Sequence, residues 1–179
     1  MKTFARILLL AAFIYPHAAS AQTQPVTVIV VRHAEKAAEP KDNPPLTSEG
    51  AMRAGKLVEA LQHAGVTTIY STPYARTLET AQPLAKALSL TVTETPIPNR
   101  SVAAYASDIA ARVKRDGGVV VVVGHSNTMG PVIKALGGPD IGEIVDERYD
   151  DLFVLTVQDG KTTRLVRSKY GARWESGMK

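Results

Sequence analysis

Thr27-Val28-Ile29-Val30-Val31-Arg32-His33-Ala34-Glu35-Lys36 is the stretch whose reading decides the fold. Its first five residues are all apolar or β-branched and too few for a helix, which predicts a strand buried on both faces, as in a parallel sheet. The run stops at a cation and an imidazole. Open α/β sheets bind ligands at the carboxyl ends of their strands, so Arg32 and His33 stand where ligand chemistry is expected. The pattern returns at Gly118-Val119-Val120-Val121-Val122-Val123-Gly124-His125, a second apolar strand delivering a histidine at its end. If the two strands are neighbours, the imidazoles share one crevice.

Between and beyond these strands the chain alternates. Residues 37–46 carry Pro40, Pro44 and Pro45 and read as a loop placed to cover the site. Thr47 can cap a helix with Glu49 in its first turn; Ala54, Leu57, Val58 and Leu61 form its apolar face, opposite Arg53, Lys56, Glu59 and His63. His63 reads as a solvated residue complementing the helix C-terminus. A short strand over 67–71 leads at once into a second helix, capped by Ser71 or Thr72 with Pro73 at its first position, which puts Arg76 in the first turn. Pro83 predicts a kink or an early end. A third strand, Leu90 to Thr95, closes at Pro96 and Pro98, and Val102, Tyr105, Ala106, Ile109 and Val113 mark a third amphipathic helix ended by Gly117-Gly118. After His125, Ser126-Asn127-Thr128 supply caps for a helix reaching Gly137-Gly138, with Pro131 tolerated in its first turn. Asp159-Gly160, between the apolar runs Leu152 to Val157 and Thr163 to Val166, is a hairpin signal. Four βα units therefore precede an antiparallel pair, and the residues from about Ala172 read as a loose tail.

The chain has 179 residues, 45% of them hydrophobic, enough for one domain with a sizeable core. Residues 1–21 stand apart. Lys2 and Arg6 precede the nine-residue apolar run Ile7 to Tyr15, and Ala19-Ser20-Ala21 is a small-x-small cleavage site, a pattern that predicts a secretory signal peptide and a mature domain over residues 22–179. Such a run falls short of the ~20 residues of a membrane helix, so no stable span is expected after cleavage and a periplasmic or secreted location follows. Without Lys2 and Arg6, 19 basic residues face 17 acidic ones, a formal charge of +2. No basic stripe argues for nucleic acid, and the remaining positive bias suits a small anionic ligand. The sequence has no cysteine, which excludes disulfides, thiolate catalysis and cysteine-based metal sites.

Arg32, His33, Arg76 and His125 all fall at strand carboxyl ends or at the starts of the helices that follow. Two guanidinium forks match the oxygens of a phosphate monoester and can neutralise charge in its transition state. A neutral imidazole in line with the leaving oxygen can attack phosphorus to give a phosphohistidine, while a second, protonated imidazole adds a hydrogen bond to the equatorial oxygens. Nothing in this design requires a metal or another cofactor. A zinc site from His33, Glu35 and His125 meets the ligand count, but two adjacent guanidinium groups would repel a dication.

Arg32-His33-Ala34, then Ser71-Thr72-Pro73-Tyr74-Ala75-Arg76-Thr77 with Thr80-Ala81, then Gly124-His125-Ser126 resemble, in order and spacing, the signature blocks of the histidine phosphatase superfamily, also called phosphoglycerate-mutase-like. The resemblance covers nearly all of residues 22–179. It implies a three-layer α/β/α fold with the strands of His33 and His125 adjacent, a mostly parallel sheet, His33 as nucleophile, and Arg32, Arg76 and His125 as the phosphate pocket. Ala34 in place of the glycine of the mutases, together with short connections, is similar to the compact phosphohistidine-phosphatase branch. Ser126 stands where acid phosphatases and phytases of the superfamily often carry an aspartate, so the general acid is unassigned. Glu94 is the nearest positional match to the donor of the mutase branch; its other reading is a solvated carboxylate at a strand end. The function these features imply is a metal-independent phosphatase acting on a small or surface-displayed phosphomonoester. The alternative is a phospho-ligand-binding protein with little turnover. A mutase fits less well, because the chain has little insertion to form a lid.

Overall fold

The structure is a computed structural model that describes residues 24–175; the leader expected over residues 1–21 lies outside the described residues. The quoted stretch forms β1 (Val26–Arg32), and the second valine run forms β4 (Val119–Gly124). The two pair in parallel, Thr27 opposite Val119 through Arg32 opposite Gly124, and the His33 N–H continues the ladder to the Gly124 carbonyl. That register sets the two histidines side by side. The other strands are β2 (Thr68–Ser71), β3 (Val92–Glu94), β5 (Asp151–Gln158) and β6 (Lys161–Lys169), in the sheet order β3-β2-β4-β1-β5-β6. All pairings from β3 to β1 are parallel, while β5 runs antiparallel to both β1 and β6.

Alternate residues of the central strands feed two cores. Ile29, Val31, Ile69, Val121 and Val123 pack against Leu57 and Leu61 of α1 (Ser48–Leu61) and Leu84 of α2 (Ala75–Leu88). Val28, Val30, Val120, Val122 and Phe153 pack against Tyr105 and Ile109 of α3 (Val102–Asp116) and Met129 and Ile133 of α4 (Ser126–Ala135). Burial on both faces is why these strands are nearly pure valine and isoleucine rather than alternating. The result is the expected three-layer α/β/α arrangement. Among the described residues no helix is long and apolar enough to cross a membrane.

Local chemistry explains most element ends. The Thr47 hydroxyl accepts the Gly50 N–H at 3.1 Å and caps α1. Gly50 itself is fixed by close approach, because a Cβ there would lie 2.2 Å from the Glu35 carbonyl oxygen. The β5–β6 turn is Asp159-Gly160 with φ of 51° and 75°, the left-handed pair that a two-residue hairpin demands.

Four expectations are corrected and one is refined. The second helix begins at Ala75, not at Pro73, with Tyr74 at the cap position and no side-chain cap; Thr72 is unavailable as a cap because its hydroxyl is turned to His125. Pro83 does not end α2, which runs through it to Leu88, since one lost ladder bond costs less than the burial of Leu84 and Ala85 beside it secures. The N-cap position of α4 is His125, one residue before the Ser-Asn-Thr run, and of that run Thr128 supplies the capping side chain, its Oγ1 accepting the His125 N–H at 2.8 Å. Arg53 is not on a solvated face: it is 6% exposed and grips the Glu35 carboxylate with Nε and Nη2 at 2.7–3.0 Å. The tail is also tied down as far as it is described, by Arg53 donating to the Tyr170 and Ala172 carbonyls and by the Trp174 N–H donating to the buried Asp150 carboxylate.

Candidate active site

The carboxyl ends of β1 and β4 and the start of α2 enclose a cleft of about 270 Å³ lined by Arg32, His33, Arg76 and His125, with Lys36, Tyr74, Ile97, Ser126, Asn127 and Asp146 around them. All four residues singled out in the sequence therefore meet. Arg32, His33 and His125 are buried and Arg76 is half-buried.

His33 is held in one tautomer. Its Nδ1 lies 2.7 Å from the Ala34 carbonyl oxygen, which can only accept, so Nδ1 carries the proton and Nε2 keeps its lone pair. Burial foremost, then the Arg32, His125 and Arg76 charges, lower its pKa to about 3 despite that hydrogen bond. At neutral pH this imidazole is uncharged, as a nucleophile must be. Next door, the Ala34 N–H donates to Thr80 Oγ1 at 2.9 Å, and that hydroxyl donates to the Arg76 carbonyl at 2.7 Å. Thr80 thus couples the segment that carries His33 to the first turn of α2, where Arg76 sits.

His125 stands 5.4 Å from His33 between ring centroids, at an interplanar angle of 65°. Its Nε2 is 2.9 Å from Thr72 Oγ1, which in turn is 2.9 Å from Thr77 Oγ1, and both threonines are fully buried. Burial, Arg76 and Arg32 lower the His125 pKa to about 4. Beside two cations in a desolvated site the ring is neutral at pH 7 when no anion is bound. A phosphate dianion would reverse the local charge and favour its protonated form.

The two arginines are organised alike. Arg32 spends Nη1 on the carbonyls of Val145, Asp146 and Arg148, at 3.1, 2.7 and 3.2 Å, and its guanidinium lies 4.3 Å from the centroid of the Tyr149 ring. Arg76 lies 4.7 Å from the centroid of the Tyr74 ring. In both residues Nε is buried without a hydrogen-bond partner. Burial lowers both guanidinium pKa values, yet both stay charged. Both residues line the same cleft, so an oxyanion entering it would meet two guanidinium groups.

The other residues considered from the sequence fall elsewhere. Glu94 is exposed at the end of β3 and does not line the cleft, in keeping with a solvated strand-end carboxylate. Glu35 is committed to Arg53, which removes it from the His33–Glu35–His125 metal set. His63 is exposed at the end of α1. Sequence reading missed the structural part of Arg32, the stacking of Tyr74 and Tyr149, the Thr72–Thr77 pair and the approach of Asp146. The Thr72, Tyr74 and Thr77 signals lay inside the quoted block around Arg76. Those of Tyr149 and Asp146 lay in an irregular segment whose return to the sheet edge no local pattern announces.

Fold and cleft together define an α/β protein with a two-arginine, two-histidine cationic pocket at the carboxyl edge of a mostly parallel sheet. Residues 28–97, which include Arg32, His33 and Arg76, match the profile of the Histidine phosphatase superfamily (branch 1). No curated protein matches the chain in sequence. Among solved structures it is similar to the protein histidine phosphatase SixA complexed with tungstate, at TM-score 0.65 and 18% identity, covering 80% of this chain and 96% of that one. It is similar to mycobacterial glucosyl-3-phosphoglycerate phosphatase at TM-score 0.60 and 16% identity, covering 83% and 100%, and to phosphoglycerate mutase from Bacillus anthracis at TM-score 0.61 and 18% identity, covering 79% and 92%. The fold is thus phosphoglycerate-mutase-like, and recognition of the histidine phosphatase superfamily from the sequence blocks is borne out.

Proposed function

We propose that the protein is a phosphatase that hydrolyses phosphomonoesters through a phosphohistidine on His33. The observation that carries this reading is the pair of unpartnered buried Nε donors, on Arg32 and Arg76, beside an imidazole whose Nε2 is left as a lone pair. Arg32 presents its Nε/Nη2 edge, and Arg76 its own fork, to the three non-bridging oxygens. His125 adds a donor, and His33 attacks phosphorus from the side opposite the leaving oxygen. Water then hydrolyses the phosphohistidine. The superfamily match and the fold shared with two phosphatases support the general class.

Metal independence is part of the proposal, because the arginine pair supplies the charge neutralisation a metal would otherwise provide. Release of phosphate from an aryl phosphate is expected to proceed undiminished in EDTA and to be inhibited by vanadate, which offers the arginines a five-coordinate oxyanion. Activity lost in EDTA and restored by a divalent metal would overturn this. The second reading, a phospho-ligand-binding protein, draws on Glu94 lying away from the cleft. It is distinguished by vanadate binding without any turnover of the aryl ester.

The domain over residues 22–179 is proposed to act after export to the periplasm or beyond, on a small or surface-displayed phosphomonoester. The basis is the leader pattern of residues 1–21. The exported protein is expected to begin at Gln22; intact-mass measurement finding Met1 retained would exclude it.

A further inference from the structure

A phosphatase of this design leaves one step without a residue: protonation of a poor leaving group. Glu35 is held by Arg53, and Glu79 accepts the Leu46 N–H at 2.7 Å. Glu94 does not reach the cleft, and Glu147 lines an adjoining hollow. Asp146 alone among the described carboxylates lines the cleft itself. Its Oδ1 lies 3.3 Å from Arg32 Nη2 and 3.4 Å from Ser126 Oγ, at the loose end of hydrogen-bond range, and its side chain is 85% exposed. The backbone beneath it is fixed, because Arg32 Nη1 donates to the Asp146 carbonyl and to those of Val145 and Arg148. A rotatable carboxyl group on a tethered segment therefore stands against the guanidinium edge left for phosphate.

Resting on the phosphatase reading, we propose that Asp146 is the acid–base residue of this cleft. A phosphate held on Arg32 lies against this carboxyl group, and a proton can pass between the two. In the first step the His33 Nε2–P bond forms as the ester P–O bond breaks, and the leaving oxygen takes the Asp146 proton, giving an alcohol and a carboxylate. In the second a water oxygen bonds to phosphorus as the N–P bond breaks. The water proton passes to Asp146 and the imidazole returns to its neutral form.

The test compares wild type, Asp146→Asn and Asp146→Glu on nitrophenyl phosphate and on glycerol phosphate. A general acid contributes roughly 10²- to 10⁴-fold where the leaving oxygen is basic. Asp146→Asn is therefore expected to lose about 10²-fold or more in kcat on glycerol phosphate and less than about 10-fold on the nitrophenyl ester, with Asp146→Glu recovering part of the difference. Vanadate affinity of Asp146→Asn is expected to hold or tighten, since a negative charge leaves the pocket. Equal losses on both esters, no loss on either, or a wild type that cleaves only the nitrophenyl ester would overturn the assignment while leaving the phosphatase reading intact. A wild type that cleaves neither ester would overturn both.

Discussion

His33→Ala is expected to abolish both phosphate release and covalent labelling by an aryl phosphate, with a loss on the order of 10⁶-fold in turnover, the scale seen when a covalent nucleophile is removed. The expectation rests on how completely this imidazole is prepared. Its Nδ1 proton is committed to the Ala34 carbonyl at 2.7 Å, so the reacting nitrogen cannot be lost to tautomer exchange. With its pKa lowered to about 3 by burial and by the neighbouring cations, the ring is unprotonated throughout the neutral range. In His125, by contrast, Nε2 is engaged by Thr72 and is not free to attack. Acid-quenched protein, digested and mapped by mass spectrometry under alkaline conditions where phosphohistidine persists, locates the label. Vanadate binding by the variant separates loss of the nucleophile from loss of the fold, since Arg32 and Arg76 remain. A His33→Ala protein that still turns over or still labels would refute the assignment.

How much of this was legible beforehand depends on the range of the forces involved. The strands ending in His33 and His125 are short valine-rich runs, and burial on both faces allows them little other composition, so their place at the sheet centre could be read directly. The hairpin was equally local: Asp159-Gly160 meets a backbone requirement within two residues. The start of α2 was misplaced because Thr72, a good cap by type, has a stronger claim on it from His125, 53 positions away. Arg53 was misread for a similar reason. Helical periodicity put it opposite Leu57 and Leu61, but Glu35 and the carbonyls of Tyr170 and Ala172 supply enough acceptors to bury a guanidinium. Arg32 shows the same limit within the site. Its type and position gave a phosphate ligand, but only the fold reveals that one end of the fork anchors the segment bearing Asp146 and Tyr149.

His125→Ala is expected to slow turnover and labelling together by ~10²- to 10³-fold, the usual cost of one preorganised donor, while leaving the label on His33. The asymmetry follows from what each histidine touches. His33 is fixed by a backbone carbonyl that can only accept, whereas His125 is fixed by a hydroxyl that can donate or accept. Behind Thr72 lies Thr77, whose Oγ1 is 2.8 Å from both the Thr72 and the Tyr74 carbonyls. With the Thr77 proton on a carbonyl and the Thr72 proton on Thr77, Thr72 can accept a proton from Nε2. His125 is thus neutral beside two bare arginines but can be charged once a dianion lies between them, strengthening its interaction as negative charge builds on the oxygens. Removing the ring takes away that donor and leaves the attacking nitrogen in place. Rapid-quench measurement of labelling by nitrophenyl phosphate reads the effect directly. Label found on His125 in the wild type, or label absent from a His125→Ala protein that still binds vanadate, would reverse the roles given to the two imidazoles.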